Sequence, residues 1–230
     1  MYFQHAGEIW RDFPELVAGV LVTDGITPHV DVGSRTAPFT AIAESRLATA
    51  SEGELPEIQA WRRAFSRMGL KPTQYRCASE ALLRRFKKEG ALPQIHPLID
   101  LCNAVSLAFA IPVAVFDVAQ IARYLEVRYA AGDESYQTFS GAVEHPAAHE
   151  VIFVDDARQV HARRWTNRQS GSSAVRETTT AVLIVAEAMH ASAPADTPKL
   201  TDTIAGELNA VWSVNPRISI LSRSSPRFEF

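Results

Sequence analysis

Between residues 75 and 117, eight polar side chains are threaded through apolar positions: Arg76, Ser79, Glu80, Arg85, His96, Asp100, Asn103 and Asp117. Polar groups taken out of water are costly unless each finds a partner, so these residues either pair locally or serve a site. Their types suit proton transfer and polar positioning. His96 titrates near neutrality and can act as a base. Asn103 offers a donor and an acceptor, and Ser79 and Arg85 add a hydroxyl and a cation. Local roles compete for the same groups. Asp100 and Asn103 can cap or tie neighbouring backbone. Arg76 and Glu80, four residues apart, can form a helical ion pair. Asp117 can open a turn after a strand, and His96 stands at a helix entrance before Pro97.

Two amphipathic helices leading into a short buried strand must position these groups. Ser79 caps or enters the first helix, where Leu82, Leu83 and Phe86 form the apolar stripe and Arg84, Arg85, Lys87 and Lys88 face elsewhere. Pro97 fits the first position of the second helix. There Leu98, Leu101, Cys102, Val105 and Phe109 share one face, while Asp100, Asn103 and Ser106 line another at three-residue steps. Residues 113–116 follow Pro112, are too few for a helix and read as a strand. This pattern predicts a single cavity, bordered by the Asp100/Asn103 face and the strand ending at Asp117, with Arg85 or Arg168 near its mouth.

Elsewhere the periodicity predicts a strand over 16–22 ending at Asp24-Gly25, and a helix within 36–55. Another helix begins at Pro56, carries Ile58, Trp61, Phe65 and Met68, and stops at Gly69. The second half is strand-rich: 124–129, 151–154, an alternating run over 160–165, and 218–221. Residues 169–174 read as a mobile, exposed Gly/Ser loop, and 191–198 as linker-like. Residues 178–188 fit a strand, a helix, or one running into the other, and 201–214 an amphipathic helix. Helices in the first half and strands in the second indicate an α+β domain, its helices packed on a mixed or antiparallel sheet. The expected organisation is one domain over 1–230, with 199–230 as a helix–strand extension packed on it.

The 230 residues are 47% hydrophobic and 21% charged, with a formal net charge of −3. That balance suits a folded core and argues against nonspecific coating of nucleic acid, though not against a local basic patch, and neither DNA nor a membrane is an expected partner. No apolar run approaches the ~20 residues that span a bilayer. The N-terminus shows no basic segment followed by an apolar one, so the expected compartment is the cytoplasm. Cys77 and Cys102 form neither a disulfide framework nor a metal motif. No phosphate-binding loop, dinucleotide fingerprint, zinc-protease or nucleophile-elbow motif occurs, so neither cofactor nor metal is expected. Two basic concentrations stand out: Arg62, Arg63, Arg67 and Lys71 with Arg84, Arg85, Lys87 and Lys88; and Arg158, Arg163, Arg164 and Arg168. Each is either a solvated face or a track for a nucleic-acid backbone. Trp165, beside Arg164, is either core or a platform for a base.

Three blocks occur in an order and spacing similar to a known family. The first is Pro97-Leu98-Ile99-Asp100-Leu101-Cys102-Asn103. The second is Pro112-Val113-Ala114-Val115-Phe116-Asp117, followed by Leu125-Glu126-Val127-Arg128-Tyr129-Ala130 and Gly132-Asp133-Glu134. The third is Val151-Ile152-Phe153-Val154-Asp155-Asp156 with the later run over 178–188. Together they resemble the B3/B4 domain of the bacterial phenylalanyl-tRNA synthetase beta chain and its free-standing relatives. Lys71-Pro72, Ser79-Glu80, Trp165, Arg168 and Ser225-Pro226-Arg227 resemble the free-standing members.

The resemblance implies a B3/B4-like fold and hydrolysis of mischarged aminoacyl-tRNA in trans, with a non-catalytic binder of tRNA or an amino-acid-like ligand as the alternative. It implies Asn103 and His96 as catalytic groups. It places Ser79, Arg85, Asp100, Cys102, Ala114, Asp117, Arg168 and Glu187 around substrate. Arg84, Lys87, Lys88, Arg164 and Trp165 would meet the tRNA, whose aminoacylated 3′ end is the expected partner. Two positions depart from the family pattern: its His in the Pro-x-His-x-Phe-Asp block is Ala114 here, and its Thr before Asn is Cys102.

Overall fold

The computed structural model describes residues 1–230. Two sheets carry the architecture. The first is mixed and eight-stranded. Its strands are β1 (Tyr2–His5), β4 (Tyr124–Tyr129), β5 (Ser135–Gln137), β6 (Val143–Glu144), β7 (Val151–Asp155), β8 (Gln159–Arg163), β9 (Arg168–Gln169) and β12 (Arg227–Glu229). They run in the order β12-β1-β4-β7-β8-β5-β6, with β9 attached to β8. The second sheet is antiparallel, in the order β11-β2-β10-β3. It comprises β2 (Val17–Thr23), β3 (Val113–Asp117), β10 (Val182–Ala188) and β11 (Arg217–Leu221). The helices are α1 (Gly7–Asp12), α2 (Gly33–Thr49), α3 (Pro56–Arg67), α4 (Ala78–Glu89), α5 (Pro97–Phe109) and α6 (Ala193–Trp212).

The second sheet divides the core because side chains alternate across a strand. In β10, Val182, Ile184 and Ala186 join Leu98, Cys102 and Val105 of α5 and Leu200, Ile204 and Leu208 of α6. Leu183 and Val185 point the other way, into a core with Trp61 and Phe65 of α3, Phe153 of the first sheet, and Trp165. Both faces of β10 are therefore covered, which explains its uninterrupted apolar run. The same period places Glu187 with Leu183 and Val185, facing the first sheet. Gly19 in β2 permits a close helix approach: a Cβ there would clash with Thr201 Cγ2 of α6.

The helix boundaries follow the sequence signals. Pro56 and Pro97 open α3 and α5. Gly90 closes α4 in the left-handed region at φ 74°, where a side chain would be strained. The architecture is the expected α+β arrangement. Several details differ. Residues 169–174 are not an exposed mobile loop: Ser170 and Ser173 are buried, and Ser170 Oγ donates to Gln137 O over 2.7 Å. The linker-like stretch is mostly the start of α6, because Pro194 and Pro198 are both accommodated within that helix. Alternation after β8 stops at Arg163, since Arg164 and Trp165 turn left-handed at φ 46° and 58°. Residues 182–188 are strand throughout. β1 and α1 carried no expectation; β1 pairs with both β4 and β12.

Candidate functional site

A cavity of about 70 Å³ opens between the two sheets. Pro112 borders it just before β3, Val113 and Ala114 from the start of that strand, Val185 and Glu187 from β10, and Phe153 and Ala162 from the first sheet. The turn after β8 supplies Trp165, Thr166, Asn167, Arg168 and Gln169. Strand register explains the meeting of the two sides. Ala114 pairs with Val185, and Glu187 N–H donates to Pro112 O over 3.3 Å, so Ala114 and Glu187 share one face about two residues apart.

Glu187 is 2% exposed, and its carboxylate is held by groups from distant parts of the chain. His5 Nε2 lies 2.6 Å from Oε1, and Trp165 Nε1–H donates to the same oxygen over 2.9 Å. The Trp61 indole donates to the Glu187 carbonyl over 3.3 Å. Oε2 has no hydrogen bond to the protein, so one lone-pair-bearing oxygen remains for a ligand in the cavity that Glu187 lines. His5 arrives because β1 alternates Phe3 and His5 onto the buried face. The left-handed turn at Arg164-Trp165 brings the indole in, and Trp165 N–H donates to Val151 O over 2.7 Å. Rings of Trp61 and Phe13 meet the Trp165 ring edge-on at 5.1 and 4.8 Å.

The rim is polar and braced. Asn167 Nδ2 donates to Arg76 O over 2.7 Å, and Gln169 Nε2 to Val115 O over 2.7 Å. Arg168 donates to Glu144 over 3.0 Å and lies over the Tyr136 ring. Thr166 Oγ1 is buried without a protein partner. The arrangement combines an apolar slot, a fixed acceptor and a positioned guanidinium, which can bind and orient a small polar-tipped group. No histidine or cysteine lines it, and Glu187 is its one carboxylate.

The single cavity expected from the sequence is in fact divided. Ala114, Trp165, Arg168 and Glu187 meet here. His96, Asp100 and Asn103 line a different cavity, of about 520 Å³, between α2, α5 and the loop after α4. The division follows from α5, which turns Asp100 and Asn103 away from the second sheet. Asp117 borders neither cavity; its Oδ2 accepts from Thr179 Oγ1 over 2.7 Å and its Oδ1 from Ala119 N–H over 3.0 Å. Cys102 faces the core rather than substrate, and burial pushes its thiol up to about 12. Ser79 is fully buried, 3.4 Å from Cys77 Sγ, and Arg85 pairs with Glu89 on the surface of α4. Trp165 cannot offer a face to a base, because it is fully buried and its indole N–H is spent on Glu187.

The basic concentrations are partly neutralised. Arg84 reaches Glu52 at 3.2 Å, Lys87 reaches Glu52 at 3.7 Å, and Arg62 and Arg76 converge on Glu80 at 2.6 and 3.5 Å. Arg163 pairs with Glu144 and Glu150. Arg164 lies over the Tyr75 ring, 4.8 Å from its centre. Lys88 is exposed at the end of α4. Sequence reasoning missed His5 and Trp61. His5 carried one usable signal, a polar residue alternating with Phe3.

A family model described as the B3/4 domain matches residues 60–202. The chain belongs to the B3/4 domain family. Among solved structures it is similar to an N-terminal fragment of the phenylalanyl-tRNA synthetase beta-subunit from Pyrococcus horikoshii, with a TM-score of 0.49 and 10% identity. That match covers 94% of this chain and 49% of the other, so the chain spans about half the fragment's length. No curated protein matches it. The B3/4 match contains Ala114, Trp165, Arg168 and Glu187, whereas His5, which completes the grip on Glu187, precedes it. No helix is long and apolar enough to cross a membrane.

Proposed function

We propose that this B3/4 chain takes the amino-acid end of an aminoacylated tRNA into the cavity between the sheets and hydrolyses a mischarged ester in trans. The observation that carries the reading is Glu187: a buried carboxylate fixed through one oxygen by His5 and Trp165, with the other left to meet a polar-tipped side chain. Ala114 and Val185 form the apolar wall beside it, and Arg168 stands at the rim. An aminoacyl ester is already activated. Water adds to the ester carbonyl, the tetrahedral adduct collapses, and the carbon–oxygen bond to the ribose breaks. The terminal ribose oxygen leaves with a proton that its neighbouring hydroxyl can relay. The protein supplies orientation, which alone can account for large accelerations.

A second reading, binding without turnover, is favoured by Ala114, where the resembling synthetase domain carries His. The deciding experiment is a deacylation screen over a complete panel of charged tRNAs. One or more esters should be cleaved above the spontaneous rate, and Glu187→Gln should change which ones are preferred. Tight binding with no cleavage of any ester would select the second reading. Neither binding nor cleavage would reject both.

A further inference from the structure

The larger cavity, between α2, α5 and the loop after α4, has no part in the reading above, and its chemistry is different. Its wall holds three carboxylates, Asp31, Glu44 and Asp100, and neither lysine nor arginine. No ion pair involves any of the three, although most carboxylates around α3, α4 and the first sheet are paired. Asp31 Oδ1 accepts from Gly33 N–H over 2.8 Å and Asp100 Oδ1 from Ile95 N–H over 2.9 Å. These bonds fix the side chains and leave the second oxygens free. Phe86, Leu92 and Ala104 add an apolar floor.

His96 supplies the second, independent observation. It is 5% exposed and lies in the cavity wall. Its Nδ1 accepts from Leu98 N–H over 3.2 Å, capping α5. An accepting Nδ1 puts the proton of the neutral ring on Nε2. That Nε2 is buried and has no partner in the protein. Burial also lowers the ring's proton affinity, against the opposing pull of Asp100 and Glu177, so the neutral form prevails at pH 7. A buried N–H donor without an acceptor is costly, and a ligand acceptor would remove that cost. Asn103, half-buried in the same wall, makes no side-chain hydrogen bond within the protein.

We propose that this cavity binds a small organic cation, a primary ammonium carrying a neutral carbonyl acceptor. The ammonium sits among Asp31, Glu44 and Asp100, and the carbonyl accepts from His96 Nε2–H. A zwitterion is disfavoured, because its carboxylate would enter a field of three like charges. Three carboxylates with no internal cation to pair with, beside a buried donor that lacks an acceptor, are what such a ligand needs.

The probe is L-leucinamide, titrated calorimetrically into the full chain, with N-acetyl-leucinamide and free leucine as neutral and zwitterionic controls. Leucinamide should bind, both controls should bind at least about 10-fold more weakly, and affinity should fall with added salt. The double substitution Asp31→Asn/Glu44→Gln, both at exposed positions, should weaken leucinamide by about 10-fold, the sum of two screened charge contacts. His96→Asn keeps a capping acceptor for α5 while removing the ring donor, and should weaken it about 3- to 10-fold. In the wild type, the His96 Nε2 nitrogen resonance should shift on titration. Three results would overturn the site: no leucinamide binding at millimolar concentration; binding undiminished in the Asp31/Glu44 double variant; or binding abolished by Glu187→Gln instead, which would move it to the cavity between the sheets. Deacylation plays no part in these readouts, so the fate of the editing proposal stays separate.

Discussion

Removing the imidazole of His5 tests whether the grip on Glu187 is a structural keystone. The imidazole is buried, 2.6 Å from the carboxylate, and packs against Phe3 and Trp10 at centroid distances of 5.2 and 5.0 Å. His5→Ala deletes a hydrogen bond to a charged group, worth about 1.5–3 kcal/mol. It also leaves a void in well-packed surroundings, which adds about 1–2 kcal/mol once partial collapse is allowed. The total, about 2.5–5 kcal/mol, is a large part of the 5–15 kcal/mol that stabilises a typical domain. Urea unfolding of His5→Ala, Glu187→Ala and the double variant closes a cycle. Each single variant strands a buried partner, so the double should be less destabilised than the sum, by about 1–3 kcal/mol. A loss below about 1 kcal/mol for His5→Ala, or additivity within about 0.5 kcal/mol, would refute the reasoning. So would a changed m-value, since the effect would then lie in the unfolded ensemble.

Ala114→Phe should fill the cavity between the sheets, abolish ligand uptake there, and cost about 1–3 kcal/mol through overpacking, with retained deacylation counting against that cavity as the site. Burial works to raise the Glu150 carboxyl, but hydrogen bonds and charge from Arg163, with Arg164, hold it below the usual carboxylate range. Its contribution is therefore present above the unfolded value of about 4.3 and lost as pH falls through the lower folded value. Glu150→Gln should reduce stability at pH 7 and flatten the acid limb of the stability–pH curve; a parallel curve would contradict this. Burial pushes the Cys77 thiol up to about 11 and that of Cys102 up to about 12, so neither should react with a disulfide reagent at pH 8 until denaturant is added.

The fold was legible wherever one face of an element met water. Helices α3, α4 and α5 alternate apolar and polar residues at helical spacing and carry Pro or Gly at their ends, so their bounds could be read directly. β10 is buried on both faces, and an uninterrupted apolar run carries no period to tell strand from helix. The spacing places the start of α6 too late because two prolines look like breakers: Pro194 lies in the first turn, which tolerates it, but Pro198 lies inside the helix, where the sequence gives no sign that it is accepted. The site was half legible. Ala114, Arg168 and Glu187 do come together, yet Asp100 and Asn103 open onto another cavity, because helical spacing names a face but not the element it meets. The bond from His5 to Glu187 joins residues 182 positions apart, and no local pattern encodes such a contact.

The left-handed pair after β8 sets a limit on how this protein can be improved. Each L-residue held there costs roughly 1–2 kcal/mol, which glycine would recover. At Arg164 the exchange is less constrained: its backbone N–H, which donates to Glu150 over 3.0 Å, survives the loss of the side chain, and what is given up is the half-exposed contact with the Tyr75 ring and a charge near Glu150. At Trp165 it is closed, since glycine would relax the turn and discard the indole that holds Glu187. Arg164→Gly is thus a route to a sturdier scaffold only as far as the relieved strain exceeds the lost Tyr75 contact, about 0.5–1 kcal/mol, whereas the neighbouring residue must keep its strain for as long as the carboxylate is to stay in place.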